Sequence, residues 1–249
     1  MENAWNVREL FVMTKRLRAK NITKGEAHMA ARWVALLSLA VMLGGCIEST
    51  LEPAPETSMK PRDKQLLANA PYDTKTPIPV PFQRHLVDYH RKEAPGTIVV
   101  DQDNHFLYYV LNDNKAIRYG ITVGEEAQNW SGVAKIGNMT EWPTWTPTAG
   151  EHQRLGNIPA FVSGGPHNPM GARALYLYAD GKDTLFRIHG TNQPEYIGFS
   201  VSSGCIRLTN EDVIDLYNRA KMGTTVVVLA PGYGDSPYNP KVALGGGRE

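Results

Sequence analysis

A thiol and an imidazole stand sixteen residues apart in the C-terminal part of this 249-residue chain: His189 in "TLFRIHG" and Cys205 in "GFSVSSGCIRLTNEDV". Such a pair can carry out acyl transfer. A free thiol titrates near ~8.5, so little of it is nucleophilic at neutral pH, and a nearby imidazole can take its proton. Cys205 has two plainer readings, core filler or half of a disulfide. The chain holds only two cysteines, and the other, Cys46, closes an apolar N-terminal stretch. That leaves Cys205 unpaired. Its setting after Ser202, Ser203 and Gly204 is polar and turn-like, unlike the apolar stripes that hold buried cysteines. Among seven histidines, His189 differs: it ends an apolar strand pattern and is followed at once by Gly190. Glycine there lets main chain approach closely. A strand-end histidine taken alone is more often structural than catalytic.

Other chemistry finds little support. There is no HxxEH, no CxxC and no carboxylate-rich loop with ligand spacing, so no metal is expected. No glycine-rich phosphate loop joins a strand to a helix, so no cofactor is expected. "SGGPHNPMG" is a turn-rich loop. Lys and Arg number 26 against 25 Asp and Glu, which gives no argument for a nucleic-acid partner.

The elements that must position the pair read as mainly β. "GTIVVDQDNHFLYYVLNDNKAIRYGITVG" predicts three strands broken at 101–104 and 112–114. Further strands are expected at "GVAKIG", "ALYLYA", "TLFRIHG" and the continuous apolar run "TTVVVLA". One helix is clear. Thr209 and Asp212 form a capping box, and Val213, Ile214, Leu216, Tyr217 and Ala220 give it an apolar face. Gly223 is expected to stop it. Residues 138–173 are rich in Gly and Pro and read as long loops, where sites tend to lie. Trp142, Pro143 and Trp145 either line a cleft there or pack in the core.

Taken together, "IHGTNQPEYIGFSVSSGCIRL" resembles the L,D-transpeptidase family, the YkuD-type catalytic domain. Its signature maps to His189, Ser203, Gly204, Cys205, Ile206 and Arg207. "YGITVG", "EWPTWTP", "GGPHNPMGARALYL" and "HGTNQP" occur in the family's order, over residues of about 95 to 230. The stretch "AGEHQR" after "WTPT" departs from the proline-rich run of close relatives.

The resemblance implies a YkuD-like β-sandwich with one main helix and long active-site loops. It implies that Cys205 attacks the third residue of a peptidoglycan tetrapeptide stem, releasing D-alanine and leaving a thioester for an amine to open. His189 would donate and accept the proton, and the Gly190 carbonyl would orient its ring. Main-chain N–H groups of Gly204 and Cys205 would stabilise the oxyanion. Ser203 would shape the turn or bind substrate. Arg207 would hold a stem carboxylate in a bidentate fork, or stand as a solvated charge. Acceptors include another stem or a wall-attached protein. Competing readings are a thiol hydrolase that trims stems and a non-catalytic wall-binding lipoprotein.

The N-terminal part reads as targeting. "WVALLSLAVMLGGC", residues 33–46, is too short to span a bilayer but has signal-peptide anatomy behind Arg32. "LGGC" resembles a lipobox, which implies lipidation of Cys46. Residues 1–45 are therefore the expected signal region, with Met29 as an alternative start. Residues 46–94 read as a Pro-rich tether, 95–230 as the catalytic domain and 231–249 as a flexible tail. The expected location is the periplasm, on a membrane through the lipid anchor. Ile47 in place of aspartate favours the outer one.

Overall fold

The computed structural model describes residues 52–72, 77–124, 130–147, 149–201 and 205–234. The described residues are mainly β. In chain order they form β1 (Glu52–Pro53), α1 (Pro61–Leu67), a 3-10 turn (Val80–Phe82), β2 (His85–Asp88), β3 (Ile98–Asp101), β4 (Phe106–Val110), β5 (Lys115–Gly120), β6 (Thr122–Gly124) and β7 (Gly132–Glu141). Then come α2 (Ala149–Leu155), β8 (Arg173–Ala179), β9 (Lys182–His189), a 3-10 turn (Pro194–Tyr196), β10 (Ser200–Val201), β11 (Ile206–Arg207), α3 (Asn210–Arg219) and β12 (Thr225–Val228). One mixed sheet runs β1-β2-β5-β4-β3-β12-β7-β8-β9-β11-β6-β10.

Alternation decides which way each strand faces. In β3, Ile98 and Val100 enter the main core while Val99 enters a smaller cluster with Tyr89, Val110, Ala116 and Leu229. Both faces of this strand are covered, as an unbroken apolar run requires. The main core continues through Leu107, Ile117, Tyr119, Ile136, Leu175, Leu177, Ile188, Ile206 and Val226. Helix α3 closes it with Val213, Ile214 and Leu216 and packs on β8. Thr209 caps α3 as expected, its side chain accepting from Asp212 N at 3.1 Å. The helix ends at Arg219, and Gly223 (φ +82°) turns the chain into β12.

The described residues of 52–94, namely 52–72 and 77–94, are folded where a loose tether was expected. Pro61 stands in the first turn of α1, where a missing N–H costs nothing. Asp63 is 1 % exposed and pairs with the fully buried Arg173 through two bonds, of 2.7 and 3.1 Å. Trp142 Nε1 donates to the same carboxylate at 2.8 Å. Burial alone would raise the Asp63 pKa, but the hydrogen bonds from Arg173 and Trp142 outweigh it and hold the carboxyl below its ordinary value. Farther along, β2 pairs antiparallel with β5. Arg84 bridges Glu56, Asp212 and Asp215. The segment is a strap folded onto the domain. Residues 231–234, expected as the start of a flexible tail, are tied to the domain: Tyr233 O accepts from Arg91, and Gly232 N donates to Asp103.

Candidate active site

Strands β9 and β11 run parallel, with Ile206 opposite Ile188 and Arg207 opposite His189. Both isoleucines enter the core. Side chains alternate along a strand, so Arg187, His189 and Arg207, with Cys205 just before β11, lie on the other face. Electrostatics agree: the thiol and the imidazole both feel the guanidinium groups of Arg187 and Arg207. Four residues from two adjacent strands thus share one small surface.

His189 is 5 % exposed, and its Nδ1 lies 2.6 Å from Gly190 O. A carbonyl only accepts, so in the neutral ring the proton sits on Nδ1 and Nε2 keeps its lone pair. Burial, reinforced by Arg207, pushes the His189 pKa down to about 3, against hydrogen bonds that the ring makes to the main chain of Gly190 and Met170. Burial likewise pushes the Cys205 thiol up, opposed by the main chain and charge of Arg187 and by Arg207. The sequence reading expected the imidazole to enlarge the thiolate fraction. Both shifts favour the uncharged form of their group, thiol and neutral imidazole. Cys205 is half-buried, and its thiol turns along the strand to donate to Leu185 O at 3.8 Å.

The surrounding loops are fixed by two asparagines that the sequence reading did not single out. Asn168 is fully buried. Its Nδ2 donates to the carbonyls of Pro143, Val162 and Ser163 at 3.0 to 3.1 Å, and its Oδ1 accepts from Met170 N. One side chain thereby ties "EWPTWTP", "PAFVS" and "PHNPMG" together. Asn210, the first residue of α3, holds Ala172 N and Thr191 O. The close approach expected at Gly190 is real, but its partner is Asn210: a Cβ there would collide with Asn210 Oδ1 and sit 2.9 Å from Ala172 N.

Trp142 belongs to the core, 6 % exposed and bonded to Asp63. Trp145 is half-buried and bridges Val162 through paired main-chain bonds. The departing stretch "AGEHQR" falls in α2, a helix the sequence reading took for loop. Its Glu151 acts electrostatically on both Cys205 and Arg207, so α2 borders the site. Arg207 is half-buried, and burial is the main cause lowering its pKa. His105 lies elsewhere on the chain's connections, bonded to Ser200 Oγ at 3.0 Å. Ser203, Gly204 and Cys46 lie outside the described residues. Among the described residues, no group of three His, Cys, Asp or Glu side chains is placed to hold a metal ion, and no helix is long and apolar enough to cross a membrane.

Comparison with known proteins gives the family. The family "YkuD: L,D-transpeptidase catalytic domain" matches residues 95–228. The chain belongs to that family. It is 37 % identical over 160 residues to the probable L,D-transpeptidase ErfK/SrfK of Escherichia coli (strain K12), covering 61 % of this chain and 48 % of that one. It is also 37 % identical over 139 residues to the probable L,D-transpeptidase YbiS of the same organism, covering 53 % and 43 %. The chain thus spans about half the length of the curated relatives it matches. A solved structure from Brucella melitensis, described as a probable carnitine operon oxidoreductase caia, is 47 % identical. That match covers 59 % of this chain and 94 % of that one, with a TM-score of 0.41, and the designation is that protein's own. The matched residues 95–228 include both His189, at the end of β9, and Cys205, just before β11.

Proposed function

We propose that the chain is an L,D-transpeptidase that acts on peptidoglycan stem tetrapeptides through a Cys205 thioester. The observation that carries this reading is the β9–β11 register, which puts Cys205 and a tautomer-fixed His189 on one face of adjacent strands. Attack requires the thiol to leave Leu185 O and turn toward the His189 ring. Catalytic hydrogen bonds are often long or misdirected before substrate arrives. Sγ then bonds to the carbonyl carbon of the third-position diamino acid. The thiol proton passes to His189 and on to the departing D-alanine nitrogen as the C–N bond breaks. An acceptor amine next attacks the thioester, giving its proton to His189, and Cys205 leaves with that proton.

Because both groups favour their uncharged form, His189 must take the proton as the S–C bond forms, as a general base. Main-chain N–H groups at Gly204 and Cys205 would meet the oxyanion, with Ser203 shaping that turn. Arg207, on the same face, would hold a stem carboxylate. The acceptor is another stem or a wall-attached protein. Cys46 would carry the lipid that holds the enzyme in the periplasm on the outer membrane.

The test is mass spectrometry of the full chain with a stem tetrapeptide, with and without an amine acceptor. An acyl adduct on Cys205 that an acceptor converts into a cross-linked product is expected. Free tripeptide alone would mean a hydrolase, and no adduct would mean a binding protein.

A further inference from the structure

Two stretches of main chain touch the His189 ring: Gly190, whose carbonyl takes the Nδ1 proton, and Met170. They belong to different connections, one after β9 and one before β8. They are packed against each other. A Cβ on Gly171 would lie 2.6 Å from both Gly190 C and Thr191 N. Gly171 also holds φ +62°, a left-handed conformation that glycine adopts without strain.

One side chain clips the two stretches. Asn210 is 1 % exposed. Its Oδ1 accepts from Ala172 N at 2.8 Å, on the Met170 side. Its Nδ2 donates to Thr191 O at 2.9 Å, on the Gly190 side. The same Nδ2 lies 3.3 Å from the Tyr72 hydroxyl, within the strap. Added Cβ atoms at Gly171 and at Gly190 would both collide with Asn210 Oδ1. The two glycines are what admit the carboxamide.

The arrangement has a chemical result. The orientation of the Gly190 carbonyl depends on its peptide plane, and that plane is shared with Thr191 N. Asn210 fixes the next peptide, at Thr191 O. A carbonyl held in place keeps the proton on Nδ1 and leaves Nε2 able to accept from the thiol. Outer groups of this kind orient a histidine and set which nitrogen carries the proton.

We infer that Asn210 is a positioning residue for His189, clipping the Met170–Ala172 and Gly190–Thr191 stretches so that the Gly190 carbonyl fixes the ring's tautomer. The Tyr72 hydroxyl links this clip to the strap. The inference rests on the reading of His189 as the base for Cys205.

The experiment uses the full chain with Asn210→Ala, Asn210→Asp, Tyr72→Phe and His189→Ala. The first readout is the nitrogen-15 NMR shift pair of the His189 ring, which reports the tautomer. The second is the rate of Cys205 acylation by a stem tetrapeptide. Native chain is expected to show one Nδ1–H tautomer. Asn210→Ala should give a mixture and slow acylation by 10- to 100-fold, with substrate KM changed by less than 3-fold. Asn210→Asp keeps the acceptor for Ala172 N and should restore part of the rate. Tyr72→Phe, which leaves both clip bonds, should keep the native tautomer.

If Asn210→Ala folds and keeps a single Nδ1–H tautomer, the inference is overturned. If Asn210→Ala does not fold, Asn210→Asp with native tautomer and native rate overturns it equally, because that variant cannot donate to Thr191 O. His189→Ala separates this from failure of the catalytic reading. Unchanged acylation in His189→Ala would discard the base itself, whatever the Asn210 variants show.

Discussion

At Cys205 and His189, burial opposes charge on both groups. It raises the thiol and holds the imidazole down at about 3. A pair of this kind reacts by moving its proton during attack. Alkylation of Cys205 by iodoacetamide should therefore rise with pH through a midpoint above the ~8.5 of a free thiol. A midpoint below 7 would point to a resting thiolate beside an imidazolium. His189→Ala should lower the acylation rate by about 10²- to 10⁴-fold, the usual contribution of a general base. His105→Ala should not, because that ring bonds to Ser200. Cys205→Ala should abolish acylation while leaving the melting temperature nearly unchanged, since the half-buried thiol has one long bond to Leu185 O. A large fall in melting temperature would assign the sulfur to the core.

At the scale of elements, legibility followed periodicity. Strands β3 to β5, β8, β9 and β12 and helix α3 carry their pattern in consecutive residues, so the sequence reading places them. His189 and Cys205 stand out in the sequence through motif and spacing. Asn168 and Asn210 were not, because their roles lie in bonds to distant main chain, and an asparagine in a Pro- and Gly-rich loop reads first as a turn residue. Helix α2 was missed because seven polar-rich residues show no apolar stripe. The glycines around Asn210 allow a sharp check. Gly190→Ala should destabilise the fold by about 1–3 kcal/mol, because Asn210 Oδ1 and, behind it, Ala172 N stand where the methyl would go. Gly165→Ala, with open space at its Cβ, should change stability by less than about 0.5 kcal/mol. Equal effects in a denaturant titration would mean that the Asn210 cradle can relax.

The whole molecule depends on the strap. Asp63 reads in the sequence as one charge in a Pro-rich segment, since nothing local reveals Arg173, 110 residues away. Removing that carboxylate leaves a fully buried guanidinium without its partner. Asp63→Ala should cost about 3–5 kcal/mol, and adding Arg173→Met should recover part of it. A cost below 1 kcal/mol in urea unfolding would show that the strap is dispensable. A second group ties the strap to pH. Burial raises buried Asp212 to about 6, against the charge of Arg84 and the Thr209 bond, with Glu211 and Asp215 adding to the rise. In the folded chain it therefore holds its proton more tightly than when unfolded. That stabilisation is complete below the unfolded pKa of about 3.9 and is lost as pH rises through about 6. Asp212→Asn should gain on the native chain as pH goes from 5 to 7, measured as the difference in unfolding free energy. A constant difference would place the Asp212 titration elsewhere.

The strap also sets an order of events in time. Thr57 N bonds to Asp215, 158 residues later, and Pro55 O accepts from Arg219, 164 residues later. A chain emerging N-terminus first makes the strap long before α3 exists to receive it. Contacts of such separation form late, after local hairpins such as β3–β4–β5. Until then the strap waits in water, and its prolines and charges suit it to waiting without aggregating. The last native contacts to form are thus expected to be those between the strap and α3, so the Tyr72 link to Asn210 closes only when synthesis and folding are nearly complete.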